Sequence, residues 1–120
     1  MVELDNMKME LAGYKEPLKE VKASLGRTAK LQRIEEYKRE MEAPGFWDDP
    51  EVSNTKVKEL RSMESVVETI TGLETQYEDI ETLIEMGYEE SDESLIPEIR
   101  EELDAFISSL ENIRISTLLS

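Results

Sequence analysis

Met63, Ile70, Tyr77 and Ile84 recur every seven residues, and Val66, Leu73 and Ile80 follow the first three of them by three residues. Two interlocked rows at that spacing are the core positions of a heptad, a stripe that an α-helix presents to a neighbouring helix. The spacing predicts one helix over residues 56–86, roughly 46 Å long at 1.5 Å per residue. Ile96, Ile99, Leu103, Phe106, Leu110 and Ile113 carry the same alternation of three and four. Gly87 is the expected stop of the first helix, Asp92 or Ser94 the N-cap of the next, and Pro97 falls in its first turn. A connection as short as residues 88–91 makes the two helices antiparallel neighbours.

Upstream, Leu4, Met7, Leu11, Tyr14, Leu18, Val21 and Leu25 form a third seam. Pro17 lies inside it, lacks an N–H and crowds the carbonyl four residues back, so a kink is expected there with the seam kept in phase. After Leu25 the phase fails. Gly26 reads as a stop, Thr28 as an N-cap, and Leu31, Ile34 and Met41 as the start of a short second helix. The predicted fold class is all-α: a kinked N-terminal helix, a short second helix and a long antiparallel helical hairpin, packed as a bundle or coiled coil. Met9, Tyr37, Leu60 and Tyr88 lie off the seams. They are expected either to face a third helix or to be ordinary exposed apolar residues.

Residues 43–50 read Ala-Pro-Gly-Phe-Trp-Asp-Asp-Pro, the one stretch dense in turn formers. Asp49 before Pro50 and Glu51 is a helix start: an acidic cap, a proline whose missing N–H costs nothing, then a carboxylate near the positive end of the dipole. Phe46, Trp47, Asp49 and Pro50 thus form a structural elbow. Both rings are expected to plug the junction between helices, the alternative being Trp47 exposed as a binding anchor.

Charge then limits function. The 120 residues hold 14 Lys plus Arg against 29 Asp plus Glu, a net charge of -15. Phosphate neutralisation needs a cationic face, and an anionic bilayer repels such a chain, so direct nucleic-acid and membrane binding are not expected. The charge is not evenly spread. Residues 1–42 hold 9 bases and 9 acids, residues 43–120 hold 5 and 20, and the 12 acids between Arg61 and Arg100 have no base among them.

No Cys and no His are present, which removes the thiol nucleophile, the usual general base and the usual zinc ligands. No catalytic residue, cofactor site or metal site is expected, and the chain is read as a non-enzyme. Glu89, Glu90, Asp92 and Glu93 could attract a divalent cation, but their spacing fails the calcium-loop pattern. They are read, with Glu85, as a solvated acidic tip available to a basic partner. No apolar run reaches bilayer length and the N-terminus is acidic, so a cytoplasmic location is expected.

Phe46-Trp47-Asp48-Asp49-Pro50 after Met41 to Pro44, a long helix bearing Tyr77-Glu78-Asp79 and Leu83-Ile84, an acidic turn and a closing Leu118-Leu119-Ser120 resemble the N-terminal helical domain of the bacterial peptide chain release factor 2 family, within the class I release factors. The resemblance spans essentially the whole chain, and Phe-Trp-Asp is its most specific element. It implies a role in translation termination at UGA and UAA codons. Members of the family read the codon with Ser-Pro-Phe and promote peptide release with a Gly-Gly-Gln loop. Neither motif occurs here: the glycines at 13, 26, 45, 72 and 87 are never adjacent, and no proline follows a serine.

The resemblance therefore implies that residues 1–120 are a single helical domain, the N-terminal part of a longer factor whose codon-reading and Gly-Gly-Gln domains are absent. It implies a non-catalytic ribosome-docking and regulatory arm, near the large-subunit stalk base protein, with the class II release-factor GTPase as a further partner. The arm itself is expected to be a monomer or weak dimer. The competing reading is a stand-alone acidic coiled-coil adaptor or chaperone unrelated to translation.

Overall fold

A computed structural model describes residues 2–119; Met1 and Ser120, the last residue of the closing Leu-Leu-Ser, lie outside the described residues. The described residues form α1 (Val2–Ala12), α2 (Lys15–Ser24), α3 (Arg27–Glu42), α4 (Pro50–Glu89), a one-turn 3-10 helix (Glu93–Leu95) and α5 (Ile96–Leu119), with no strand among them. The expected all-α fold is what the chain adopts. It divides into two compact units, residues 1–24 with 71–120 and residues 25–70, and α4 belongs to both.

In the first unit α1 and α2 pack with the distal part of α4 and with α5. Leu4, Met7, Leu11, Leu18 and Val21 are buried from the N-terminal seam, Leu73, Ile80 and Ile84 from the heptad rows of α4, and Ile99, Leu103, Phe106 and Leu110 from the seam of α5. Such burial contributes about 1.5–3 kcal/mol per large side chain, set against the cost of ordering the chain. Phe106 of α5 meets Tyr14, in the turn between α1 and α2, edge-on at 6.3 Å and Tyr77 of α4 at 5.9 Å between ring centroids. Gln76, Asp79 and Ile80 line one cleft with Glu102 and Ala105. Tyr77 and Phe106 lie at similar distances in sequence before and after the chain reversal at Ser91 and meet each other, which is the antiparallel hairpin that the short connection predicts.

The N-terminal bend has the expected cause but lies upstream of the expected place. Pro17 is the third residue of α2, not the point of the kink. The chain departs from the helix at Gly13–Tyr14, where Tyr14 N–H turns to the Leu11 carbonyl at 2.9 Å and Leu18 N–H restarts the ladder on the Tyr14 carbonyl at 3.0 Å. Pro17 crowds the carbonyl four positions back, that of Gly13, so the disturbance appears there.

The second unit is a hairpin of α3 on the first part of α4. Ile34, Tyr37 and Leu60 form its core, with Met41, Met63 and Val67 partly buried against them. Lys56 of α4 pairs with Glu40 of α3 at 3.0 Å. Two expectations need correction. Thr28 is not the N-cap of α3: Gly26 is, with φ 64 and ψ 44 and no side-chain cap, while the Lys30 ammonium reaches the Leu25 carbonyl. A left-handed turn favours glycine, and it opens α3 two residues earlier than a Thr28 cap would. Leu31 stays 42% exposed, because the stripe that meets α4 runs through Ile34, Tyr37 and Met41. The off-seam residues divide as anticipated, with Tyr37 and Leu60 buried and Met9 74% exposed.

Gly87 does not end α4. It lies inside the helix, buried, and the stop comes at Ser91, whose φ is 47. Asp92 N–H bonds the Gly87 carbonyl at 3.0 Å and Ser91 N–H the Tyr88 carbonyl at 3.3 Å. That is a Schellman closure with serine in the position glycine usually takes.

Candidate functional site

The acidic tip is built by this closure. Glu85 and Glu89 stand on the last turns of α4, Glu90 follows them, and Glu93 opens the 3-10 turn, all four exposed. Asp92 is set apart from them by its work within the fold. Its Oδ1 accepts the Ser94 N–H at 2.8 Å, which caps the 3-10 turn, and hydrogen bonding to the Ser94 side chain, together with this backbone bond, holds the carboxyl below its ordinary range. The tip thus presents four outward carboxylates around one that stabilises the turn. No group of three or more Asp, Glu, His or Cys side chains among the described residues is arranged to hold a metal ion.

Tyr88 fastens α1 to this end of α4. Its hydroxyl donates to the Asp5 carboxylate, which raises the phenol above its ordinary range, and the Lys8 ammonium lies 5.7 Å from the ring centroid. Arg100 at the other side joins α1 to α5. Its two terminal nitrogens bind the Glu10 carboxylate at 3.0 and 3.3 Å and Asp104 at 3.0 Å, and these bonds hold it firmly protonated.

A second acidic feature was missed by the sequence reading. Glu102 lines a cleft of about 100 Å³ with Gln76, Asp79, Ile80 and Ala105, and its Oε2 is buried with no hydrogen-bond partner. Burial raises this carboxyl above its ordinary range, and the charges of Glu98, Asp79 and Glu101 raise it further. The available signal was positional: Glu102 is three residues after Ile99 and four before Phe106, so it flanks the apolar seam rather than opposing it.

At the elbow, Asp49 caps α4 as expected, its Oδ1 accepting from Glu51 N–H at 3.1 Å and Val52 N–H at 3.4 Å. Pro50 is the first residue of the helix. Phe46 is half-buried, but Trp47 is 55% exposed and does not plug the junction. The tight turn explains the correction: Phe46 N–H bonds the Ala43 carbonyl at 3.3 Å and Asp48 N–H the Gly45 carbonyl at 3.2 Å. The indole stands edge-on to Phe46, with centroids 4.7 Å apart and an 80° angle.

Fold and surface define an acidic all-α module of helical hairpins that presents carboxylates at a helix turn. No helix of the described residues is long and apolar enough to cross a membrane. Residues 30–120 match the PCRF domain, and the chain belongs to the family that this domain defines. It is also similar over its whole length to proteins named peptide chain release factor 2. Identity is 33% to that of Shewanella baltica and 35% to that of Colwellia psychrerythraea, each over 120 residues. It is 30% over 118 residues, or 98% of the chain, to that of Staphylococcus saprophyticus. The chain spans about a third of the length of these relatives, 33%, 33% and 32% in turn.

Proposed function

We propose that the chain is the helical arm of a longer bacterial release factor, taking part in translation termination on the ribosome in the cytoplasm. The similarity to peptide chain release factor 2 across the chain carries this reading, and it favours a termination factor over a free-standing adaptor or chaperone. In this reading codon choice at UGA and UAA and peptide release belong to the rest of the factor, and the arm is non-catalytic. Its acidic tip docks near the large-subunit stalk base, against a basic ribosomal protein rather than RNA phosphate, and tunes how the class II release-factor GTPase recycles the factor. The exposed Glu85, Glu89, Glu90 and Glu93 support that choice of partner.

The test has two parts. The reading frame downstream of residue 120 is expected to continue into Ser-Pro-Phe and Gly-Gly-Gln; a stop codon there overturns the proposal. Deleting residues 1–120 from the complete factor is expected to weaken ribosome association or recycling and to leave stop-codon choice unchanged. Altered codon choice counts against a docking arm.

A further inference from the structure

We propose that the elbow between α3 and α4 is a second docking surface, one that takes an arginine side chain from a basic protein segment. It does not rest on the reading of the acidic tip. Trp47 is the one aromatic among the exposed large apolar residues of the described chain. Its ring is held out by a hydrogen-bonded turn in which Gly45 adopts φ 87, and by edge contact with Phe46. An aromatic presented on a fixed turn costs little conformational entropy on binding. Val52, 49% exposed on the first turn of α4, adds apolar surface to the same segment.

Charge selects the occupant. Residues 43–55 contain Asp48, Asp49 and Glu51 and no cation, and Lys56, which shares a cleft with Glu51 and Val52, is paired with Glu40 at 3.0 Å. Asp49 is committed to the α4 amides. Asp48 and Glu51 are exposed and enter none of the ion pairs seen among the described residues. A single-stranded nucleic acid could stack a base on the indole, but its phosphates would meet these carboxylates. A second copy would bring a net charge of -15. A guanidinium suits both features, lying on the indole face while its N–H fork reaches a carboxylate. The chain shows this chemistry within α3, where the Arg33 guanidinium lies 4.4 Å from the Tyr37 ring centroid and pairs with Glu36 at 2.6 Å.

The experiment uses the whole 120-residue chain, whose single tryptophan reports from the proposed site. An Arg-Gly-Gly repeat peptide and its Lys-Gly-Gly counterpart are titrated by calorimetry and by tryptophan emission, into the parent, Trp47→Ala, the pair Asp48→Asn with Glu51→Gln, and the pair Glu89→Gln with Glu90→Gln. Circular dichroism verifies the fold of each. The arginine peptide is expected to bind the parent more tightly than the lysine peptide and to shift the Trp47 emission. About a tenfold loss of affinity is expected for Trp47→Ala and for the Asp48/Glu51 pair, with the Glu89/Glu90 pair close to parent. The proposal is overturned by unchanged affinity in Trp47→Ala, by a loss confined to the Glu89/Glu90 pair, or by an emission that stays fixed at saturation. It is equally overturned if polyuridylate quenches Trp47 as strongly as the arginine peptide does, or if the chain self-associates through Trp47.

Discussion

Leu4 packs its side chain onto the bare Cα of Gly87: a Cβ built there would stand 3.0 Å from Leu4 Cδ1 and 3.3 Å from Cδ2. Leu4 is fully buried, so it has little room to give way. This explains a glycine inside a 40-residue helix. Alanine there should gain about 1 kcal/mol of helix propensity and lose about 1–3 kcal/mol to overpacking, a net destabilisation. Gly72 in the same helix is the control, because nothing lies within 4 Å of its hypothetical Cβ. Gly72→Ala should therefore stabilise by about 1 kcal/mol. Urea midpoints moving in opposite directions for the two variants would bear this out, and a stabilised Gly87→Ala would refute the packing argument.

Ser91 holds φ 47 to close α4, a left-handed conformation that costs a residue bearing a Cβ about 1 kcal/mol or more. Ser91→Gly should raise stability by about 1 kcal/mol, since the two closing hydrogen bonds come from backbone groups and survive the change. A β-branched Ser91→Val should do the reverse. Thermal unfolding ranks the three; valine matching serine would show that the closure is not strained.

The seams were readable because burial in helices follows a period, and Leu4 through Phe106 obey it. Asp49 was readable as well, since a short acidic side chain before a proline marks a helix cap, whereas the next cap could be read only as Asp92 or Ser94, and the structure gives it to Asp92. The errors fell where local signals compete with tertiary geometry. Gly87 resembles a stop in sequence, but Leu4, more than eighty positions away in the chain, requires the small residue there. Trp47 looked like a plug because large rings are mostly buried, yet the turn at Gly45 directs it outward. Tyr37 and Leu60 could be placed only once α3 lay on α4. The acidic tip was legible as composition, whereas the separate employment of Asp92 required its hydrogen bond.

Glu102 should make stability depend on pH in the direction opposite to that of Asp92. Its folded-state carboxyl is raised by burial and by Glu98, Asp79 and Glu101, so the folded chain binds the proton more tightly than the unfolded chain. The resulting penalty is present above the folded value and fades as pH falls through it toward the unfolded value. Glu102→Gln removes the charge and should stabilise the chain near neutral pH by about 0.5 kcal/mol, discounted for partial exposure. The advantage should shrink on acidification. Asp92, lowered by Ser94, loses its contribution as pH falls, so the comparison is parent minus variant at each pH. An advantage that grows toward low pH would contradict the assignment.

Salt should stabilise this chain. The interhelical ion pairs of the first unit, Lys22 with Glu74 and Arg100 with Glu10, have side chains 25–43% exposed, and pairs of that kind contribute about 0–1 kcal/mol each. Against them stand 12 acids and no base between Arg61 and Arg100. Added sodium chloride screens attraction and repulsion alike, so its net effect follows the larger sum, here the repulsion among carboxylates. Raising the salt to about 0.5 M should increase the unfolding free energy by about 1 kcal/mol. Neutralising Glu89 and Glu90 together should mimic part of that gain at low salt and reduce the further response. A fall in the urea midpoint with salt would mean that Arg100 and Lys22 hold the helices more strongly than their exposure suggests.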